Sequence, residues 1–283
     1  MIIAVPMRRS RLSPPLRILA LLVAVAAALP ATAQEPADQL QRLVAGPQRS
    51  EKNRVRDPYR HPLEVLTFFG VRPDSDVVEI LPGAGGYWTE ILAPYLREHG
   101  RYTAANGEAA SPSAEVQKDN AGFKAKIAAD PADYGKVAVS EFAADRHDIA
   151  PPGSADFVLT FRNIHNWMAA GETQGAFGAF YKALKPGGIL GVEEHRGKPG
   201  EPQDPLAKSG YVRQDVAIGF AEAAGFRFVG SSEVNANPKD TKDYPAGVWA
   251  LPPTFRLGDQ DRAKYAAIGE SDRFILKFVK PAP

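Results

Sequence analysis

The sequence predicts an α/β fold built on a mostly parallel β-sheet, and three observations support this. Short apolar, strand-like runs alternate with helix-like segments over most of the 283 residues. A turn with three glycines in four positions, Gly83 to Gly86, directly follows the first of these runs. The hydrophobic content of 44% and the charged content of 24% are typical of a globular chain with a substantial core.

Residues 1–33 resemble a cleavable secretory signal peptide. Four arginines, Arg8, Arg9, Arg11 and Arg17, precede the uncharged run Ile18–Leu29, and Ala31-Thr32-Ala33 provides the small residues of a cleavage site. We therefore expect a periplasmic or secreted protein without stable membrane insertion after cleavage. An uncleaved anchor is the alternative, and Arg8-Arg9 leaves open whether export follows the general or the twin-arginine route.

Charge and cysteine content exclude several classes of function. The chain after cleavage has 283 − 33 = 250 residues, with 34 − 4 = 30 Lys and Arg against 33 Asp and Glu, a net charge of −3. No basic stripe remains, so we expect no nucleic-acid partner. Without cysteine there is no disulfide, thiolate metal site or cysteine nucleophile.

The remaining chain is expected to hold a mobile segment, 34–55, with one short helix at Ala37–Val44, and one domain, 56–283. Pro62 is suited to the first position of a helix that Gly70 ends. The seven predicted strands are Val77–Leu81, Arg101–Ala105, Lys136–Phe142, Asp156–Phe161, Ile189–Glu194, Phe226–Glu233 and Arg273–Val279.

Helices are predicted between these strands, and two long polar segments are predicted to be functional loops. The helices are Tyr87–Glu98, Ser113–Ala129, Gly175–Leu184 and Val212–Ala224. The loops are Gly197–Gly210 and Asn235–Gly258, which are rich in Pro and polar residues.

The turn Pro82-Gly83-Ala84-Gly85-Gly86 is expected to let a ligand approach the backbone closely, at the edge where parallel sheets bind ligands. A dinucleotide fingerprint would need a glycine at position 88, which is Trp88, and an acid after the second strand. Asn106 stands near that second position. A nicotinamide dinucleotide is therefore not the predicted ligand.

Several motifs together resemble class I S-adenosylmethionine-dependent methyltransferases. Glu79-Ile80-Leu81-Pro82-Gly83-Ala84-Gly85 is similar to the first motif of that family, and Leu184-Lys185-Pro186-Gly187-Gly188 is similar to its turn into strand five. More narrowly, the chain resembles a group of exported bacterial methyltransferases, through Arg56–Pro62, Arg162–Trp167 and Glu270–Arg273. The resemblance implies a Rossmann-like three-layer sandwich whose seventh strand is antiparallel.

The resemblance also implies S-adenosylmethionine as cofactor and a set of residues around it. Glu79, Pro82, Gly83 and Gly85 would face its methionine half, and Asn106 its ribose. The family usually has an acid at the ribose position, so Asn106 is a departure. Asp145 and Asp148 are both candidates for the adenine amino group, and Asn163 is a further cofactor candidate unless it only caps a loop.

Polar residues at the ends of the fourth and fifth strands are the catalytic candidates. His165 is the predicted base for a proton of the methyl acceptor, and Glu194 and His195 are predicted to orient it or to contact substrate. Glu193 or Glu194 could instead only pair with Arg162 or Arg196. A metal site made of His165, Glu194 and His195 is conceivable, but nothing in their spacing demands it, so no metal is predicted.

The predicted activity is methyl transfer to an oxygen or nitrogen of a small molecule. Two alternatives remain. One is an exported, non-catalytic ligand-binding protein on the same fold, because S-adenosylmethionine is made in the cytosol. The other is a general-base hydrolase, for which the chain has no G-x-S-x-G turn.

Overall fold

A computed structural model describes the backbone of residues 31–143 and 148–282, and side chains from Pro36 onward within these ranges. Its centre is a seven-stranded sheet in the order β3-β2-β1-β4-β5-β7-β6. The strands are β1 (Asp76–Ile80), β2 (Arg101–Gly107), β3 (Ala138–Phe142), β4 (Ala155–Phe161), β5 (Leu184–His195), β6 (Arg227–Ser232) and β7 (Arg273–Val279).

The first five strands pair in parallel, and β7 is antiparallel to both of its neighbours, β5 and β6. This confirms the predicted seven-stranded, mostly parallel sheet with an antiparallel last strand. The chain order turns back between β1 and β4, and such a switch point is where open α/β sheets bind ligands, beyond the carboxyl ends of the strands.

Helices cover both faces of the sheet. The longer helices are α1 (Ala31–Val44), α4 (Pro62–Phe69), α5 (Thr89–Leu96), α6 (Ala114–Ala129), α8 (Ile164–Ala170), α9 (Thr173–Ala183), α10 (Gln214–Ala223) and α11 (Arg262–Ile268). Short helical turns are α2 (Glu51–Arg54), α3 (Asp57–Arg60), α7 (Pro131–Tyr134) and the 3₁₀ turn Gly247–Ala250. Among the described helices, none is long and apolar enough to span a membrane.

Alternate residues of the buried strands supply two hydrophobic cores. In β1, Val77 packs with α1, α4 and α5 on one face, whereas Val78 packs with α8, α9 and α10 on the other. In β4, Leu159 and Val158 divide in the same way. Because side chains of a strand alternate between its two sides, this division produces the predicted three-layer sandwich.

The segment 34–55 differs from the expectation of a mobile start. Leu40 of α1 is buried in the core with α4 and α5, and Arg49 is buried and bound to Asp57 at 2.5 and 2.9 Å. Asn53 Nδ2 donates to the carbonyl of Gly85 at 3.0 Å. Residues from Leu40 onward therefore pack as part of the domain. Although α1 is mostly polar, its apolar residues bind it to the core. The signal peptide lies mainly outside the described residues and stays a prediction.

Candidate functional site

A cavity of about 530 Å³ opens at the carboxyl ends of β1, β2, β3 and β4. We call it the edge cavity. It lies at the switch point of the sheet, and its wall includes the last residues of β2 and β3, residues just after β1 and β4, the start of α6 and one face of α8. Residues that line it include Leu81, Gly83, Asn106, Phe142, Asn163 and Trp167.

The backbone at the end of β1 bends sharply into this cavity. Gly83 has φ +68°, and a Cβ atom added there would meet nothing within 4 Å. Leu81 also lines the cavity and has φ +51°, a conformation that costs a non-glycine residue energy and is often found at functional sites. The glycine therefore leaves open space beside a backbone that the fold holds under strain.

Three of the predicted cofactor residues line the edge cavity: Gly83, Asn106 and Asn163. Asn163 also donates to the carbonyl of Ile80 at 3.2 Å, so it holds the end of β1 against the end of β4. Phe142 and Ala143 line the wall where the adenine was expected. Asp145 lies outside the described residues, and Asp148 is bound to Lys182 at 2.7 Å.

The other predicted cofactor residues, Glu79, Pro82 and Gly85, are not among the residues that line the edge cavity. The Glu79 side chain is buried behind the strand and accepts a hydrogen bond from Tyr102 Oη at 2.5 Å. Burial raises the pKa of Glu79 to about 7, against the opposing effect of this hydrogen bond. The structure therefore gives Glu79 a role in the packing of β1 and β2, which its place in the sequence motif did not reveal.

Trp88 and Trp167 differ in their position relative to the edge cavity. Trp88 is buried and stacks on Phe161 with ring centroids 4.2 Å apart, so it does not fill the glycine bend. Trp167 packs on Phe142 and Phe180 and also lines the edge cavity. Its indole N–H is buried and has no hydrogen-bond partner among the described residues.

The structure brings the three predicted catalytic residues together, and we call them the histidine cluster. His165 Nδ1 lies 3.0 Å from Glu194 Oε1, and the backbone N–H groups of His165 and His195 donate to the same carboxylate at 3.2 and 2.8 Å. His195 Nδ1 lies 2.6 Å from Ser271 Oγ. One ligand atom from each of the three lies within 4.8 Å of the other two, so the cluster has a composition and spacing that could hold a metal ion.

The histidine cluster is covered and faces away from the edge cavity. Trp249 packs edge-on against the His165 ring at 5.9 Å between centroids, and Tyr211 packs in the same way against His195 at 6.4 Å. Burial, followed by the neighbouring His165 and three arginines, lowers the pKa of His195 well below its usual value. Because Asn163, Asn166 and Trp167 share the cavity face of α8, the helical repeat places His165 on the other side of that helix.

The residues that cover and hold this cluster have no signature in the sequence. Tyr211, Trp249 and Ser271 come from segments that are far apart in the chain, and no motif connects them. The same holds for a buried group of arginines, although the motifs Arg56–Pro62 and Arg162–Trp167 contain three of them. The pairing expected for Glu193 is present: its Oε1 lies 3.9 Å from Arg162 Nε and 3.6 Å from Arg273 Nη1.

No protein-family model matches the sequence, and no curated protein does either. The structure is similar to an S-adenosylmethionine-dependent methyltransferase from Aquifex aeolicus, with a TM-score of 0.53, 16% identity, and coverage of 86% of this chain and 98% of the other. It is also similar to the (4+2)-cyclase SpnF, with a TM-score of 0.55, 17% identity, and coverage of 89% and 96%. At this level of identity the comparisons show that the chain has the class I methyltransferase fold.

Proposed function

We propose that this chain is an S-adenosylmethionine-dependent methyltransferase that acts on an oxygen or nitrogen of a small molecule. The observation that carries the proposal is the edge cavity, which lies over the open bend at Gly83 in a fold shared with such an enzyme. A fold by itself does not determine chemistry, as the cyclase neighbour illustrates, so the residues of the cavity have to fit the cofactor.

Those residues fit the proposed cofactor. The open bend at Gly83 leaves backbone free for close approach by a ligand. Asn106, the last residue but one of β2, has a buried amide that can hydrogen-bond a ribose hydroxyl, and Phe142 provides an apolar wall for a base. A volume of about 530 Å³ is within the range of small-molecule and cofactor sites.

When bound, S-adenosylmethionine supplies a methyl group that breaks its bond to sulfur as a new bond to the acceptor oxygen or nitrogen forms. The chain has to align the acceptor and remove its proton. Because an ionised carboxylate only accepts hydrogen bonds, Glu194 holds the proton of His165 on Nδ1 and leaves Nε2 free to take one. For this role the attacking oxygen or nitrogen has to reach both His165 Nε2 and the methyl group, because the same atom loses the proton and gains the methyl group.

A non-catalytic ligand-binding protein is the second candidate, and one observation favours it. The histidine cluster is covered by Trp249 and Tyr211 and is not part of the cavity wall. Such a protein would bind a nucleoside in the edge cavity without turnover.

Export through the predicted signal peptide also belongs to our proposal. Mass spectrometry of the protein purified from cells tests it, and we expect the first residue of the mature chain near Gln34.

Calorimetry of the mature protein with S-adenosylmethionine and S-adenosylhomocysteine tests the proposal. We expect saturable binding of both, and release of S-adenosylhomocysteine when a mixture of candidate acceptors is added. Absence of binding at millimolar concentrations of either nucleoside would reject the methyltransferase. Binding without product release from any acceptor would favour the second candidate.

A further inference from the structure

Four arginine side chains meet beside the carboxyl ends of β4 and β5, next to the histidine cluster. We call them the arginine cluster: Arg56, Arg60, Arg162 and Arg273. Glu270 lies among them, with Oε1 at 2.6 Å from Arg56 Nε, and Oε2 at 2.8 Å from Arg273 Nη1 and 3.4 Å from Arg60 Nε. Arg60, Arg273 and the Glu270 carboxylate are almost completely buried.

Positive charge exceeds negative charge in this cluster. Glu193 and Glu270 provide two carboxylates for four guanidinium groups. Arg60 shows the consequence, because burial and the charges of Arg162, Arg56 and Arg273 lower its pKa well below the usual value. Guanidinium groups keep their proton in proteins, so a buried surplus of this kind is costly unless an anion compensates it.

The cluster also has spare hydrogen-bond donors. Arg56 Nη2, Arg60 Nη2 and Arg162 Nε are buried and have no hydrogen-bond partner among the described residues, and the same holds for Arg273 Nε. Buried polar groups normally have partners, and a buried donor left without one destabilises the fold. The side chains of Arg56 and Arg162 are 18% and 28% exposed, so the cluster is reachable from solvent at these two residues.

The backbone of Arg162 is bent to reach this place. Its φ is +63°, which is unfavourable for a residue with a side chain, and its N–H donates to the carbonyl of Glu193 at 2.7 Å. The next residue, Asn163, lines the edge cavity. Strain at a non-glycine residue often accompanies a functional site. Here the strained residue lies between the arginine cluster and the wall of the cavity.

We propose that the arginine cluster binds the oxyanion, a carboxylate or a phosphate, of the methyl acceptor. That the bound molecule is a methyl acceptor rests on the proposed methyltransferase function. The anion site itself is defined by the arginines alone. Arg56 and Arg162 provide the entrance, and their guanidinium groups match the planar, two-oxygen geometry of such groups. The acceptor is then an acidic small molecule that spans from Arg162 towards the edge cavity.

Binding of acetate and of inorganic phosphate to the full mature chain tests this inference, by calorimetry at constant ionic strength with chloride as the background anion. We expect saturable binding of at least one of them to the unmodified protein. Arg162→Gln keeps a straight, polar side chain but removes the guanidinium group and its charge, and is expected to weaken binding by about tenfold or more. Arg56→Gln is expected to have the same effect.

The matched control is Arg213→Gln, because Arg213 pairs with Asp215 on the surface near the start of α10. We expect it to bind the anions as the unmodified chain does. Thermal unfolding of all three variants checks that they fold. No anion binding by the folded, unmodified chain would overturn the inference, and so would binding that survives in both Arg162→Gln and Arg56→Gln.

The two proposals fail in different ways. If S-adenosylmethionine binds but neither anion does, the acidic acceptor is wrong and the methyltransferase stands. If the anions bind through Arg162 but S-adenosylmethionine does not, the anion site stands and the methyltransferase falls. With an active preparation, a panel of acids and their neutral methyl esters gives a second readout, since only the acids are expected to be methylated.

Discussion

The carboxyl edge of the sheet has two halves, one with an open cavity and one that is packed and covered. Around the ends of β1 and β2 lies the edge cavity, with an unobstructed glycine bend and a wall whose charged residues are all acidic: Glu108, Glu115, Asp119 and Glu172. Around the ends of β4 and β5 lie the histidine and arginine clusters, which are packed, charged and covered by segments from both ends of the described chain. The contrast indicates two roles, with an open, acidic cofactor side and a packed, ionic acceptor side that holds the arginines.

The largest effect is expected on the ionic side, from His165→Ala. If His165 takes the acceptor proton, turnover falls by about 10²- to 10⁴-fold while S-adenosylmethionine still binds, because the residue does not line the edge cavity. Release of S-adenosylhomocysteine and calorimetry measure the two properties. His99→Ala, at an exposed position, is the control. Unchanged turnover would show that the histidine cluster serves only structure.

Glu270→Gln tests how far the ionic side depends on its few carboxylates. The change leaves Arg56, Arg60 and Arg273 without their shared partner, and loss of one member of a buried ionic group costs about 3–5 kcal/mol in free energy of unfolding. Denaturant unfolding measures it. The control Glu233→Gln removes a 60% exposed partner of Arg196, where about 1 kcal/mol or less is expected. Equal effects would mean that the cluster is already compensated by other means.

Glu79→Gln tests the pH dependence of stability on the cavity side. Burial raises the pKa of Glu79 to about 7, so the folded chain keeps a proton that the unfolded chain releases above its ordinary pKa of 4.5. Stability from this residue is therefore full below pH 4.5 and falls as the pH rises to 7, by about 3 kcal/mol. The variant keeps an acceptor for Tyr102 but should lose this slope.

The free energy of unfolding, measured from pH 5 to pH 8, shows whether Glu79→Gln loses this pH dependence. Glu51→Gln, at an exposed position, is the control. Glu270 behaves in the opposite way, because its arginine partners lower its pKa despite burial. Its contribution is present above the ordinary pKa of a glutamate and is lost only on acidification. An identical pH slope in Glu79→Gln and the unmodified chain would contradict the assignment of Glu79.

The smallest effect is expected from Asn106→Ala. Its side chain can offer one or two neutral hydrogen bonds to a ribose, so we expect S-adenosylmethionine to bind about two- to tenfold more weakly. Calorimetry measures the change, and Asn237→Ala, in the loop before α11 and away from the edge cavity, is the control. Stronger binding by the alanine variant would place the ribose elsewhere.

Much of the fold could be predicted because periodicity and turn residues are local signals. All seven strands are found within a few residues of their predicted positions, and the antiparallel β7 followed from the family resemblance. Helix α8 was missed because its first turn, Ile164-His165-Asn166, reads as a polar loop. The packing of Arg49 and Asn53 was missed because a buried polar residue has no signature in sequence.

The part of the site whose residues all lie at the carboxyl edge of the sheet could be predicted. His165 and Glu194 were expected to meet, since both follow parallel strands that end at the same edge, and they do. The arginine cluster could not be predicted in this way. It joins Arg60 and Arg273, which are separated by most of the chain and come together only because α3 packs against the start of the antiparallel β7.

The most direct test of the account compares Gly83→Val with Gly153→Val. Both glycines have a positive φ, +68° and +65°, and at both an added Cβ would meet nothing within 4 Å, but only Gly83 lines the edge cavity. Calorimetry with S-adenosylmethionine should show binding to Gly153→Val as to the unmodified chain, and none to Gly83→Val. Equal affinity in the two variants would contradict the claim that the cofactor lies over the bend after β1.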